Sequence, residues 1–247
     1  MFDAENIKNE IIKWIQNYFD ANGKGCKAVV GISGGKDSSV TAALCAQALG
    51  AENVHGVLMP CGEQWDIGVS IELAGHLGIK YNVINIKKIT DSFSDAVSGN
   101  GMAMNRQAEI NTPARIRMAV LYAVSAIVGG RVANTCNLSE DWVGYSTKFG
   151  DSAGDFSPLS NLTVTEVKQI GKALRLPEKF IEKIPEDGLT GFSDEENLGF
   201  SYDVLDRYIR DGICEDGAIK TKIDKLHQCN LHKVQQMPFF TPPSQNN

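Results

Sequence analysis

The run Gly31-Ile32-Ser33-Gly34-Gly35-Lys36-Asp37-Ser38-Ser39 follows directly on Ala28-Val29-Val30 and precedes the apolar stretch 40–49. A strand, a glycine-broken turn and a helix are what this pattern predicts. Gly34 and Gly35 free the backbone for positive φ and admit an anion without a Cβ in its way, while Ser33, Ser38 and Ser39 add hydroxyl donors. The unpaired N–H groups that open the helix aim at the same point, and the helix dipole favours an anion there by ~0.3–1 kcal/mol. Asp37 would repel phosphate, so its place in the loop suits a divalent cation that bridges to phosphates. The pattern is neither a Walker A loop, whose required positions hold Val30 and Asp37 here, nor Gly-x-Gly-x-x-Gly.

The rest of the chain alternates. Strands are expected at 53–60, 81–86 and 131–136, with helices at 66–77 and 110–128 between them. This is the pattern of an α/β fold, a doubly wound, mostly parallel sheet of Rossmann-like type with accessory helices. Ligands in such sheets lie at the carboxyl ends of the strands, where Ser33 and Met59-Pro60 fall. Ile7, Ile11, Ile15 and Phe19 mark an amphipathic helix over 6–19 ahead of the first strand. Residues 98–107 read as irregular, and Pro113 as part of the first turn of the 110–128 helix. Arg115 and Arg117, two apart on that helix, point to different sides, so at most one is expected in a shared site.

Beyond the fourth strand, Glu140, Lys148, Asp151 and Asp155 gather among glycines at the ligand-bearing edge. Long charged loops in a compact domain usually carry function. Helices are expected at 164–174, 178–183, 202–210 and 218–229, the last leading to His232-Lys233. The polar, glycine-containing stretch 185–200 suits a mobile lid, and 238–247 a loosely held tail. One domain over 1–247 accommodates all of this.

A net charge of −6 argues against a broad positive surface, so nucleic acid is not an expected partner. No apolar run approaches ~20 residues and the first residues are acidic and polar, so neither a membrane span nor a signal peptide is expected, and the cytoplasm is the expected location. The six cysteines show no zinc or C-x-x-C spacing and are expected to be reduced.

Ser-Gly-Gly-x-Asp-Ser resembles the pyrophosphate loop of the ATP pyrophosphatases that release AMP and pyrophosphate. Over its whole length the chain resembles the ammonia-dependent NAD synthetases, at 31–38, 111–117, 135–140, 147–151, 194–199 with Tyr202, and His232-Lys233. The resemblance implies that ATP adenylates the nicotinate carboxylate of deamido-NAD, releasing pyrophosphate, and that ammonia then displaces AMP to give NAD. A carboxylate is a poor electrophile, and the negative charge this reaction collects needs Mg2+ and placed donors.

The same resemblance implies residue roles. Asp37 and Glu140 would hold the metal, and Gly31, Ile32, Ser33, Gly34, Gly35, Lys36, Asp37, Ser38, Met59 and Thr135 would bind ATP, with Met59 against adenine. Arg115, Lys148, Asp155, His232 and Lys233 would contact deamido-NAD. Asp151 would bind ammonium and take its proton, completing a catalytic set with Asp37 and Lys148. A homodimer with the dinucleotide near its interface is implied, as are loops that close to keep water from the adenylate. Free ammonia, or ammonia from a separate partner, is the implied donor, since glutamine-using relatives carry an extra amidase domain and this length leaves no room for one.

Three positions depart from the family pattern. Val164 stands where a phosphate-binding Lys is common, so phosphate charge is expected to fall to Lys36; Val234 replaces an Arg, and Glu186 a small hydroxyl residue. Two other readings stay open at this level: another pyrophosphate-releasing adenylating amidotransferase, or an ATP-binding regulatory module without turnover.

Overall fold

Four short strands, β1 (Lys27–Gly31), β2 (Val54–Leu58), β3 (Lys80–Val83) and β4 (Gly130–Ala133), pair in parallel in the order β3-β2-β1-β4. This is a computed structural model, and it describes residues 2–182 and 193–242. The chain runs outward from β1 to β3 and then returns to place β4 on the other side of β1. The strand order therefore reverses between β1 and β4, and a crevice opens at their carboxyl ends.

Alternation along β1 sends Ala28 and Val30 to one face and Val29 to the other. On the first face α1 (Ala4–Asn22), α2 (Lys36–Leu49) and α7 (Val164–Ala173) bring Ile15, Phe19, Leu44 and Ile170 into the core. On the second, Ile116, Leu121 and Val124 of α5 (Arg106–Val128) pack on Val29, Val57 and Val132. Each fully buried Leu or Ile contributes ~1.5–3 kcal/mol, so both layers hold β1 and the loop that follows it in place.

A third cluster builds the carboxyl-terminal region. Val143 of α6 (Leu138–Val143), Val164, Leu198 of α8 (Asp194–Leu198), Tyr202 and Leu205 of α9 (Tyr202–Asp211) and Ile223 of α10 (Gly217–Val234) pack together. That packing sets α6 and α10 against the crevice. The remaining helices, α3 (Ile67–Leu77) and α4 (Lys87–Ser98), flank β2 and β3. Among the described residues no helix is long and apolar enough to cross a membrane.

The parallel α/β fold is the expected one, with specific differences. The helix α4 fills 87–98, so the irregular stretch shrinks to 99–105. Asn105 caps α5 by accepting from the Ala108 N–H at 2.9 Å, which starts the helix at Arg106 and puts Pro113 in its interior rather than its first turn. Pro113 has no N–H for the Glu109 carbonyl, a local cost that packing on the sheet outweighs. The expected helix at 178–183 is a 3-10 turn, Glu178–Phe180.

Of the stretch expected as a lid, 185–192 lies outside the described residues, and 194–198 is the short helix α8. Ser193 starts it through a capping box with Glu196: the Glu196 N–H donates to Ser193 Oγ at 3.3 Å and the Ser193 N–H to Glu196 Oε2 at 2.7 Å. His232 and Lys233 belong to the last turn of α10. Residues 238–242 are exposed and belong to no helix or strand, and 243–247 lie outside the described residues.

Candidate active site

Gly34 sits at φ +79, and a Cβ there would stand 2.9 Å from Ser70 Oγ, so the tight turn after β1 requires glycine. Around it the hydroxyls brace the loop. Ser33 N–H donates to Ser38 Oγ at 3.2 Å, Ser38 Oγ donates to the Gly35 carbonyl at 3.1 Å, and Gly35 N–H donates to Ser33 Oγ at 3.3 Å. Lys36, Asp37 and Ser38 open α2 with N–H groups that have no partner within the helix, the feature an oxyanion needs.

The carboxylates stand beside this cradle. Asn137 caps α6 through the Glu140 N–H, which donates to its Oδ1 at 3.0 Å, and donates its own amide to Asp37 Oδ1 at 2.9 Å. One side chain thereby fixes both Asp37, from the β1 loop, and the helix turn carrying Glu140. Lys36 Nζ donates to Asp37 Oδ2 at 2.9 Å and reaches Glu140 Oε1 at 3.5 Å. The Lys36 side chain is 2% exposed, those of Asp37 and Glu140 18% and 16%. The ammonium therefore lies deeper than the two carboxylates.

Asp37 and Glu140 share the Lys36 ammonium, whose pKa both carboxylates, with Asp194, raise against burial. Burial and the Asp37 charge push the Glu140 carboxyl well above the usual carboxylate range, and burial with Glu140 and Asp194 raises the Tyr202 phenol. Tyr202 OH donates to Asp194 Oδ2 at 3.3 Å, and the Lys36 ammonium lies 5.7 Å from the Tyr202 ring centre. An excess of negative charge on hard oxygen donors fits a divalent cation. Mg2+ commonly takes one or two carboxylates and completes its shell with water and phosphate. Asp37 and Glu140 would hold it; among the described residues no third carboxylate, His or Cys joins them.

The second half of the site is the loop after α6. Asp151 Oδ1 accepts the Thr147 N–H at 2.8 Å, and its carbonyl accepts from Asn134 Nδ2 at 2.9 Å and from Cys136 Sγ at 3.2 Å. Burial raises the Asp151 carboxyl, with the Thr147 hydrogen bond opposing. Arg115 Nε donates to the Lys148 carbonyl at 3.3 Å, and Lys148 Nζ to the His232 carbonyl. Lys233 Nζ donates to the carbonyls of Gly144 and Ser146 at 2.6 and 3.1 Å, and burial lowers its pKa. Loop and helix end are thus tied together by cations on carbonyls, which leaves donor capacity on each.

A cleft of about 350 Å3 runs alongside, lined by residues including Asn134, Asp141, Asp155, Ser157 and Lys233. Asp155 is braced within it, accepting from Val132 N–H at 2.7 Å and Tyr122 OH at 3.3 Å. Met59 ends up against Gly31, where a Cβ would lie 3.4 Å from its Cε, and Thr135 follows β4 at the same edge.

Arg115 and Arg117 diverge on α5, as their spacing leads one to expect: Arg115 Nε donates to the Lys148 carbonyl, and Arg117 Nε donates to the Met59 carbonyl at 3.1 Å. The Lys36 ammonium, expected on phosphate, is buried against the carboxylates instead. Asn137 lies in the matched segment 135–140 without an implied role, although an Asn three residues before a Glu at a helix start is a capping signal. Val164 is buried in the third cluster and supplies no charge. Burial raises the Cys136 thiol, which makes it a poor nucleophile.

The chain is similar over most of its length to known proteins. The NAD synthase family model matches residues 7–240. An NH3-dependent NAD+ synthetase of Pyrococcus horikoshii is 41% identical over 211 residues, 85% of this chain and 79% of that protein. NMN synthetase from Francisella tularensis superposes with a TM-score of 0.87 at 29% identity, covering 98% of this chain and 99% of that one. An NH3-dependent NAD synthetase from Campylobacter jejuni gives 0.79 at 28% identity, with 98% and 100% covered. The chain is a ligase of NAD biosynthesis, and it belongs to the NAD synthase family.

Proposed function

We propose that this site adenylates the nicotinate carboxylate of deamido-NAD with ATP and then passes the acyl group to ammonia, giving NAD, AMP and pyrophosphate. The observation that carries the reading is the junction at Asn137, where the phosphate loop of β1 meets the first turn of α6, so that Asp37 and Glu140 stand beside the phosphate cradle.

Main-chain N–H groups of 33–38, with the Ser33 and Ser38 hydroxyls, receive the ATP phosphates, and Gly31, Ile32, Met59 and Thr135 bound the rest of the nucleotide. Lys36 takes part through its main-chain N–H. Mg2+, held by Asp37 and Glu140, would offset phosphate charge and stabilise the leaving pyrophosphate. Arg115, Lys148, Asp155, His232 and Lys233 orient the nicotinate nucleotide. Asp151, its carboxyl raised by burial, binds ammonium and removes the proton that frees the nitrogen lone pair for attack. Closure of the surrounding loops would keep water from the adenylate.

A homodimer is part of the reading. No residue of β3 is buried, α4 buries none, and Tyr81, Val83, Ile89 and Phe93 leave an apolar face along that edge of the sheet. Such a patch on a sheet edge is a surface that another subunit would cover.

A second substrate is favoured by one observation, the likeness over the whole chain to NMN synthetase. It would make nicotinate mononucleotide the acceptor, with the same adenylation and ammonia steps. Steady-state turnover with each nucleotide decides between them. A higher kcat/KM on deamido-NAD supports the proposal, and a higher value on the mononucleotide replaces it with the second reading.

A further inference from the structure

We propose that Lys36 is a resident cation of the metal site, one that balances Asp37 and Glu140 in the empty protein and makes divalent metal binding conditional on nucleotide. The proposal rests on the reading of those two carboxylates as the metal pair. Lys36 Nζ lies 2.9 Å from Asp37 Oδ2 and 3.5 Å from Glu140 Oε1, joining residues 104 positions apart in the chain. At 2% exposure it cannot reach into solvent without leaving both. Asp37 Oδ1 is taken by Asn137, so each Asp37 oxygen already has a donor.

These contacts decide how a metal ion enters. An ion arriving alone must compete with a buried ammonium for the inner carboxylate oxygens and finds only two carboxylates among the described residues. An ion arriving with ATP brings phosphate oxygens that complete its shell and needs fewer carboxylate oxygens. The built-in charge therefore discriminates against free metal and in favour of the metal–nucleotide complex. It also holds two carboxylates of like charge together. Lys36 acts through Asp37 and Glu140 and is a positioning residue.

Mn2+ binding followed by electron paramagnetic resonance tests this, with Lys36→Met and Lys36→Arg beside the wild-type protein. Wild type is expected to bind Mn2+ at least tenfold more tightly with α,β-methylene-ATP than without it. Lys36→Met is expected to bind Mn2+ without nucleotide at least tenfold more tightly than wild type, and to gain more in thermal midpoint from Mn2+. Lys36→Arg, which keeps the charge, is expected to restore wild-type behaviour. Unchanged or weaker Mn2+ binding by folded Lys36→Met overturns the proposal. If Lys36→Met does not fold in sodium buffer, refolding in Mn2+ supports the proposal, and failure in both overturns it. Loss of Mn2+ binding by wild type even with the analogue would instead refute the metal pair itself.

Discussion

The side-chain amide of Asn137 donates to Asp37 Oδ1 over 2.9 Å, joining the phosphate loop after β1 to the first turn of α6. Asn137 is fully buried and caps the helix that carries Glu140. Asn137→Ala is expected to remove a cap and a charge-assisted hydrogen bond together, lowering stability by ~1–3 kcal/mol. With Asp37 no longer oriented, the Mg2+ concentration for half-maximal rate should rise ~10–100-fold. Thermal denaturation and a Mg2+ titration of turnover check both. Asn137→Asp should keep the cap and still shift the Mg2+ dependence.

Asp151 sets the expected pH dependence. Burial holds its proton more tightly than in a free carboxyl, so the acid limb of kcat/KM should lie above that of an unperturbed aspartate. The ionised form is the base, so activity is present above the Asp151 pKa and lost below it. The stability sign is opposite: a raised carboxyl pKa contributes stability below the unfolded value, and that contribution is lost as pH rises through the folded one. Asp151→Asn should reduce kcat by at least ~100-fold and remove the acid limb, as a pH–rate series will show.

Gly34 tests the phosphate loop. Gly34→Ala forces a side chain into positive φ, costing ~1–2 kcal/mol, and sets its Cβ 2.9 Å from Ser70 Oγ. The expected result is a protein that folds with a lower midpoint and has lost most of its ATP affinity. Isothermal titration with ATP measures it, and wild-type affinity in the variant would contradict the cradle.

Local patterns were legible in the sequence, and three-dimensional meetings were not. The strand, glycine turn and helix at 28–49 were readable because the apolar periodicity and the turn residues agree. A proline ordinarily marks a helix start, whereas Asn105 caps α5 eight residues before Pro113 and packing on the sheet carries the proline inside. The polarity of 194–198 suggests a loop, yet Ser193 and Glu196 form a capping box whose signature is present in the sequence. Spacing shows that Arg115 and Arg117 diverge, but not that the Lys148 and Met59 carbonyls are what they meet. Lys36 shows the same limit most plainly, because its partner Glu140 is 104 residues away and only the β1 and β4 pairing brings them together.

The most direct measurement incubates the protein with ATP, Mg2+, deamido-NAD and ammonium and separates the products by chromatography. NAD and AMP are expected in equal amounts, both absent with Asp37→Ala. AMP without NAD, or neither product from the wild-type protein, would contradict the proposed reaction.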